Sequence, residues 1–215
     1  MVELNVSTIS DSWVSMLREI ILHGSNVEII VDGNSYKTLE LYTPMVVNIS
    51  NVFSNMIPVG SKWHGKSIEK YRSQVVNGDN VDGFDYDYHT RLHKWHGTID
   101  QIGQIITNLK NNSNSRQEIA TLWEPNNDLI RGKSVPCWVL ADFKLREQNL
   151  NLTVIYRSWD IYGAAPSNMY AIAGLLEMVA NELHCEAGRL TIICSAAHIY
   201  EYDIPSARRI IGEVP

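Results

Sequence analysis

Residue types capable of chemistry concentrate in three short segments of this 215-residue chain. The first, residues 135–138, places Cys137 where a strand is predicted to begin. The second, residues 157–168, holds an arginine, a serine, an aspartate and an asparagine between a predicted strand end and a helix start. The third, residues 198–200, follows a predicted buried strand. Polar side chains at the ends of regular elements, above an apolar scaffold, are the usual anatomy of a functional site.

Cys137 carries the one thiol among these three segments. The reactive form of cysteine is the thiolate, which a neighbouring cation favours. A free cysteine is also among the residues most often buried, so a small core side chain is the competing interpretation. Cys185 and Cys194 are expected in the core. The three cysteines are widely spaced without a Cys-x-x-Cys pair, which indicates neither a disulfide framework nor a zinc site.

The composition is that of a folded globular protein, with 45% hydrophobic and 20% charged residues. The formal net charge of -6 argues against a general nucleic-acid binder, which would show a basic face. Residues 1–12 lack the apolar core of a signal peptide, and no apolar run approaches the roughly 20 residues of a membrane span. We therefore expect a cytoplasmic protein without membrane or stable nucleic-acid partners. No metal is expected, because His93-x-x-His96 lacks an indicated third ligand.

Hydrophobic periodicity and turn residues predict the elements that must position these segments. Helices are expected over residues 11–23, 99–109, 167–183 and 204–211, with one further short helix among long loops in residues 55–83. Strands are expected over residues 26–31, 37–41, 45–49, 118–123, 137–144, 150–155 and 190–196. The first two strands flank an Asp32-Gly33-Asn34 hairpin turn, and residues 145–149 join the paired strands 137–144 and 150–155.

Helix-start signals and element order complete the structural prediction. Ser167 is expected to cap the helix 167–183, whose apolar residues indicate deep burial, and Thr98 and Gln101 have capping-box spacing. Strands and helices are mixed without strict β-α-β alternation, so the expected class is α+β. The prediction is one domain over residues 1–215, with a central mixed or antiparallel sheet packed by helices, one of them long and buried.

The motif order resembles the superfamily of thymidylate synthases and deoxypyrimidine hydroxymethylases. Its nucleotide-binding signature is similar to Arg157-Ser158-x-Asp160, Gly163-x-x-Pro166-x-Asn168 and His198-x-Tyr200. Pro136-Cys137 stands where that family carries its nucleophile. Residues 99–102, 109–110, 115–116 and Trp123 repeat the family's order upstream, and Tyr86-x-Tyr88-x-x-Arg91-Leu92 is similar to a substrate-facing segment of the shorter archaeal-type branch. The resemblance extends roughly from Gly83 to the C-terminus and implies a thymidylate-synthase-like fold.

The resemblance implies reductive methylation of dUMP to dTMP at C5, with a 5,10-methylenetetrahydrofolate-type donor that supplies both carbon and hydride. C5 of uracil is too weak a nucleophile to attack a methylene donor. Addition of a thiolate to C6 makes C5 enolate-like, and so divides one difficult step into two. Cys137 is expected to be that thiolate, and Arg157 to favour its ionised form. Whether the pterin is tetrahydrofolate or a modified relative stays open.

The resemblance also implies how the nucleotide is held. Arg157 and Ser158 are expected to bind its 5′-phosphate, and Arg116 to reach the phosphate from the other subunit of a homodimer. Asn168 is expected to donate to O4 and accept from N3–H of uracil, which favours dUMP over dCMP. His198 and Tyr200 are expected to grip the 3′-hydroxyl group. A solvated loop charge, a helix-start asparagine and a strand-end histidine are the competing interpretations for Arg116, Asn168 and His198.

Three further residues are expected to serve the chemical steps. Asp160 resembles the carboxylate that contacts the folate-type donor and assists the later steps, although a turn-capping aspartate is the alternative. Tyr88 is expected to line the pocket and assist proton removal from C5, unless it is a core tyrosine. Glu69 is the candidate for the acid that organises water at O4, and a solvated helix face explains it at least as well.

Several departures from the family leave the product open. Gln117 follows Arg116 where relatives commonly have a second arginine, and Trp138 follows the nucleophile where many synthases carry histidine. The longer enzymes have a C-terminal extension that excludes water, and this chain ends soon after Arg209. Hydride transfer would give a methyl group, and admitted water a hydroxymethyl group. The alternatives are therefore a dUMP, dCMP or CMP hydroxymethylase and a non-catalytic nucleotide-binding homologue, against which Cys137 argues.

Overall fold

A computed structural model of the chain describes residues 1–31, 33–79, 87–130 and 134–213. The strands in these ranges are β1 (Val2–Val6), β2 (Ser25–Val31), β3 (Asn34–Glu40), β4 (Met45–Ile49), β5 (Ile119–Thr121), β6 (Trp138–Arg146), β7 (Asn149–Tyr156), β8 (Trp159–Asp160), β9 (Glu186–Cys194) and β10 (Ala197–Tyr200). The helices are α1 (Ile9–His23), α2 (Gly65–Asn77), α3 (Tyr88–His93), α4 (Gln101–Asn111), α5 (Pro125–Asp128), α6 (Ala165–Leu183) and α7 (Ile204–Ile210).

The strands form two mixed sheets. The larger sheet has the order β1-β4-β9-β7-β6-β5, in which β1 runs parallel to β4 and β9 parallel to β7. The smaller sheet has the order β2-β3-β10-β8, in which β10 runs parallel to β8. The α+β class and the long buried helix are confirmed, and the smaller sheet is an addition to the single central sheet expected.

One face of the larger sheet packs against helices and forms the core. The alternate residues Leu150, Leu152, Val154 and Tyr156 of β7 are all buried, and β9 contacts α6. Nearly all of α6 is buried from Ala165 to Ala180, as the apolar pattern predicts. Each fully buried Leu or Ile contributes roughly 1.5–3 kcal/mol, so this face supplies much of the stability that holds the strand ends in place.

Helix starts differ from the predicted positions because capping residues lie elsewhere. Helix α6 begins at Ala165 with Pro166 in its first turn, and Ser167 is inside the helix, where its hydroxyl donates to the Ala164 carbonyl at 3.0 Å. The prediction that Ser167 caps this helix is therefore wrong. Asp100, rather than Thr98, caps α4 by accepting from the Gly103 N–H at 2.9 Å.

Helix α1 starts two residues earlier than expected. Thr8 caps it and forms a capping box with Asp11, so the predicted first residue is part of the capping signal. Within residues 55–79 the structure contains the 13-residue helix α2, which ends at the left-handed Gly78. Because α2 packs against α6, this weakly patterned segment contributes a face to the site.

Several short elements were not predicted. Strand β1 lies within residues 1–12, and the alternation of Val2, Leu4 and Val6 with polar residues is the sequence signal that was missed. The strand expected over residues 190–196 ends at Cys194, after which the chain bends into β10. The connection between β6 and β7 is a tight turn of Glu147 and Gln148, both with positive φ, rather than the longer loop expected.

The predicted strand over residues 118–123 is shorter, covering Ile119–Thr121 as β5. Asp32 of the expected hairpin turn lies outside the described residues, although Val31 and Asn34 pair across it. Gly83 and Tyr86 of the archaeal-type segment also lie outside them. In the part of the chain that the structure describes, no helix has both the length and the apolar character needed to cross a membrane.

Candidate active site

The sheet topology brings the three reactive segments together. Trp138, the first residue of β6, pairs with Tyr156, the last residue of β7, so Cys137 and Arg157 extend side by side beyond the sheet. The Arg157 backbone N–H donates to the Cys137 carbonyl at 2.9 Å. The third segment joins through β10, where His198 pairs with Asp160 of β8. The predicted convergence of these segments therefore follows from strand pairing.

The guanidinium group of Arg157 holds the backbone that carries Cys137. Its Nε donates to the Pro136 carbonyl at 2.9 Å and its Nη2 to the Val135 carbonyl at 3.1 Å. The same Nη2 lies 3.9 Å from the Cys137 sulfur. The guanidinium also lies over the Trp123 ring, 5.6 Å from its centre. Arg157 therefore combines a structural clamp with a positive charge beside the sulfur.

Burial dominates the ionisation of Cys137. Desolvation raises the pKa of this thiol because a buried thiolate loses its hydration. The Arg157 charge lowers the pKa and the Asp160 charge raises it, and both effects are smaller than that of burial. The predicted assistance from Arg157 is present, but it does not lower the pKa below its ordinary value. Burial in this structure therefore favours the neutral thiol over the thiolate.

Asp160 is a partly buried carboxylate with two basic side chains nearby. Burial raises its pKa, while the Gly163 N–H, which donates to Oδ1 at 2.8 Å, and the nearby His198 and Lys62 lower it. A Cβ atom at Gly163 would lie 2.1 Å from Asp160 Oδ2, so glycine leaves the room that this position of the carboxylate requires. The Asp160 side chain does cap a turn, and it also faces the cluster that contains Cys137 and His198.

His198 and Tyr200 stand next to each other on β10. His198 is buried, and its ring meets the Tyr200 ring edge-on with 5.3 Å between their centres. Burial raises the pKa of Tyr200, and the Asp160 and Cys137 charges raise it further. Tyr200 also stacks on the exposed Tyr202 at 5.3 Å. The predicted pair thus lies within electrostatic reach of the predicted nucleophile.

Asn168 lies in the first turn of α6 and is buried. Its Oδ1 accepts from the Trp159 indole N–H at 2.9 Å, and its Nδ2 donates to the Tyr71 hydroxyl at 2.6 Å. Nearby, the Trp63 indole N–H donates to the Gly163 carbonyl at 2.6 Å. Tyr71 and Trp63 were missed from sequence. The spacing of Ile68, Tyr71 and Val75 on one face of α2 would have indicated that Tyr71 points inward.

A stack of aromatic rings supports the site from beneath. Tyr156 and Trp159 stack at 4.7 Å, and Tyr156 and Trp138 at 6.4 Å. Each ring is adjacent in sequence to a predicted site residue. Successive residues of a strand point to opposite sides, so the ring packs on one side while the site residue lies on the other. Tyr88, the fourth aromatic residue, meets Trp138 edge-on at 5.4 Å and is partly buried. Tyr88 is thereby held next to the residue that follows Cys137.

Two predicted residues lie apart from this cluster. Arg116 is exposed in the loop between α4 and β5. Glu69 is also exposed, and its carboxylate accepts from the Tyr170 hydroxyl at 2.5 Å. Tyr170 follows Asn168 by two helical positions, a rotation of about 200°, so the two side chains leave α6 on opposite sides. The described contacts of Glu69 therefore do not join it to the other predicted residues.

Ser158 is partly buried and directly follows Arg157 beyond the end of β7. In the described ranges, no three His, Cys, Asp or Glu side chains are arranged to hold a metal ion. The cluster instead offers one thiol, one carboxylate, one amide, one imidazole and one guanidinium group. These groups suit the binding and covalent activation of a polar ring that carries an anionic substituent.

This site and fold define the class of protein. The chain belongs to the thymidylate synthase family, whose model matches residues 47–215. The matched region begins well before Gly83, near which the motif resemblance begins. It includes all three reactive segments. Membership of this family makes the protein an enzyme of one-carbon transfer in dTMP biosynthesis.

Similar proteins occur in archaea under the name "Putative thymidylate synthase". The chain is 38% identical to one from Methanococcoides burtonii over 211 residues, which covers 98% of this chain and 95% of that protein. A protein from Methanosarcina barkeri is 36% identical over the same coverage. One from Methanothermobacter marburgensis is 34% identical and covers 97% of both chains. The predicted likeness to the archaeal-type branch is confirmed.

Proposed function

We propose that the protein is a thymidylate synthase that methylates dUMP at C5 through a covalent bond between Cys137 and C6. The observation that carries the proposal is the position of the Cys137 sulfur. It lies 3.9 Å from a guanidinium nitrogen of Arg157 and within electrostatic reach of Asp160, on a backbone clamped by the same arginine. A cysteine that serves only to fill the core does not need a charged neighbour of this kind.

The raised pKa of Cys137 makes substrate binding part of its activation. Addition to C6 requires the thiolate, because the thiol is a much weaker nucleophile. Arg157 is the described group that lowers the pKa of this sulfur. The clamp on Val135 and Pro136 fixes the direction from which the sulfur meets the ring. Electrons that enter at C6 accumulate at C5 and O4, and C5 then becomes the nucleophile.

The other residues fit recognition of the nucleotide. Arg157 and Ser158, next to each other beyond β7, suit a 5′-phosphate at the strand end. Asn168 retains one amide N–H and one oxygen lone pair for the edge of a pyrimidine. His198 and Tyr200 offer polar groups within the same cluster for the sugar 3′-hydroxyl. With these assignments the chain offers separate polar groups for the phosphate, the sugar and the base of dUMP.

A reduced pterin of the methylenetetrahydrofolate type is the proposed co-substrate and supplies both the methylene carbon and the hydride. Asp160, whose carboxylate is held by the Gly163 N–H, suits contact with a polar pterin ring. Tyr88, held against Trp138, is the candidate to assist loss of the C5 proton. Glu69 is the candidate for the acid near O4, although its described contact is with Tyr170 and not with the other site residues.

Mass spectrometry of the intact protein tests the covalent step. The protein is incubated with 5-fluoro-dUMP and methylenetetrahydrofolate. A covalent adduct is expected to accumulate, because a base can remove the C5 proton of dUMP but cannot remove the fluorine that replaces it. The adduct should be lost in Cys137→Ser and retained in the matched variant Cys185→Ser. An adduct that persists in Cys137→Ser would refute the nucleophile. With dUMP as substrate, a hydroxymethyl product in place of dTMP would support a hydroxymethylase, and unchanged dUMP a non-catalytic homologue.

We also propose a homodimer in which Arg116 reaches the phosphate of the partner's site. Support comes from the second face of the larger sheet, where Thr153, Ile155, Thr191 and Ile193 remain partly exposed. The exposure of Arg116 is consistent with a role outside its own subunit. Mixing inactive Cys137→Ser dimers with weakened Arg116→Ala dimers should restore activity, because each hybrid contains one complete site. A lack of recovery in proven hybrids would exclude the trans role.

A further inference from the structure

The side-chain amide of Asn168 is held at both ends by other side chains. The Trp159 indole N–H donates to its oxygen at 2.9 Å, and its nitrogen donates to the Tyr71 hydroxyl at 2.6 Å. Trp159 is 1% exposed and is fixed by stacking on Tyr156. An indole N–H donates a hydrogen bond and cannot accept one, so only the amide oxygen can face Trp159. Trp159 therefore determines the orientation of the amide, and the Tyr71 hydroxyl, which can accept or donate, accepts from the end that is left to it.

An amide fixed in this way can recognise only one kind of pyrimidine edge. After these two bonds Asn168 retains one N–H and one oxygen lone pair. Uracil presents an acceptor at O4 and a donor at N3, whereas cytosine presents a donor at N4 and an acceptor at N3. An amide that can rotate by 180° about its Cβ–Cγ bond matches either edge. An amide held by Trp159 and Tyr71 matches one edge and opposes the other.

We propose that Trp159 is the specificity-determining residue that separates uracil from cytosine nucleotides, by fixing the orientation of the Asn168 amide, while Tyr71 holds the other end of that amide. The inference rests on the proposed function, which supplies the pyrimidine nucleotide. Both are positioning residues, because they act through Asn168 and not on the reacting atoms. Discrimination arises mainly from the mismatch with cytosine. The fixed amide would face donor to donor and acceptor to acceptor, which leaves buried polar groups unpaired.

Calorimetric dissociation constants for dUMP and dCMP test this inference without requiring turnover. The measured quantity is the ratio of the two constants in each variant. Trp159→Phe keeps an aromatic ring in the stack and removes the donor, so the ratio should move towards one by about fivefold or more, the typical worth of a neutral hydrogen bond. Tyr71→Phe removes a hydroxyl that can accept or donate while Trp159 still fixes the amide, so the ratio should stay close to that of the unaltered protein.

Trp13→Phe is the matched control. The Trp13 indole N–H is also buried and donates to the Ile161 backbone carbonyl at 2.7 Å, so its loss should affect stability and leave the ratio unchanged. An unchanged ratio in folded Trp159→Phe would overturn the inference. If that variant does not fold, Trp159→Tyr decides instead, because it replaces the indole N–H by a hydroxyl that can donate or accept.

The affinities of the unaltered protein separate this inference from the proposed function. If the unaltered protein binds neither nucleotide, the proposed function fails and the inference fails with it. If it prefers dCMP, the choice of uracil is wrong, but movement of the ratio towards one in Trp159→Phe still supports the role of Trp159 in fixing the amide.

Discussion

The guanidinium group of Arg157 lies 3.9 Å from the Cys137 sulfur while it donates to the carbonyls of Val135 and Pro136. One side chain therefore controls both the charge near the nucleophile and the path of the backbone that presents it. The planar fork of arginine makes this possible, since it donates in several directions at once. A lysine would retain the charge and lose most of the clamp.

This double role predicts how the reactivity of Cys137 changes when Arg157 is replaced. Arg157 lowers the thiol pKa against the larger effect of burial, so Arg157→Met should raise that pKa further. Alkylation of Cys137 by iodoacetamide should then become slower at neutral pH, and the pH range over which the alkylation rate increases should move to higher pH. Arg157→Lys should shift the profile less. Peptide mass spectrometry gives the rates, with Cys185 in the same sample as an internal standard; an unshifted Arg157→Met profile would contradict the charge effect.

The ionisation of Asp160 should depend on Lys62. Burial raises the pKa of this carboxylate, and the Lys62 charge is one of the effects that lower it. Lys62→Met should therefore raise the pKa further. If catalysis requires the carboxylate, the acid limb of kcat/KM should move to higher pH, because a larger fraction of Asp160 is then protonated at any given acidic pH. The control is Lys66→Met, which removes an exposed lysine of α2. It should leave the acid limb of kcat/KM unchanged.

Local signals predicted most of the long elements. Helix α6 and strands β6 and β7 carry clear apolar periodicities and were predicted within a few residues. Strand β8 has two residues and depends on pairing with β10, so no local pattern distinguishes it. The division of the strands into two sheets is likewise set by contacts between distant segments. Sequence periodicity contains no information on those pairings.

The candidate site was predicted mainly from the motifs of the family resemblance. These name Cys137, Arg157 and Asn168, which strand pairing and the first turn of α6 bring to one end of the sheets. Tyr71 lay outside those motifs, in a polar stretch where a solvated helix was expected. Its contact with Asn168 depends on the packing of α2 against α6, which follows from tertiary structure alone. The same packing turns Glu69 away from Asn168.

Gly163→Ala should disable the enzyme while the fold persists. The new Cβ atom would lie 2.1 Å from Asp160 Oδ2, so the carboxylate must move from its bond with the Gly163 N–H. Overpacking of this kind typically costs about 1–3 kcal/mol of stability, which a folded domain usually survives. We expect a fall of at least roughly tenfold in kcat/KM, as displaced catalytic groups commonly produce. A thermal melt establishes folding, and full activity in a folded variant would exclude a positional requirement at Asp160.

Cys194 should make the protein less stable in alkali. Burial raises the pKa of this thiol from 9.0 to about 12, so the folded state holds a proton that the unfolded chain releases. Its stabilising contribution is complete below pH 9 and is lost as the pH rises towards the folded-state pKa, by up to about 1.4 kcal/mol per pH unit. Cys194→Val keeps an apolar side chain in β9 and removes the ionisation. Urea unfolding at pH 8 and pH 10.5 should therefore show a smaller decrease in the free energy of unfolding for the variant, and equal decreases would refute the assigned pKa.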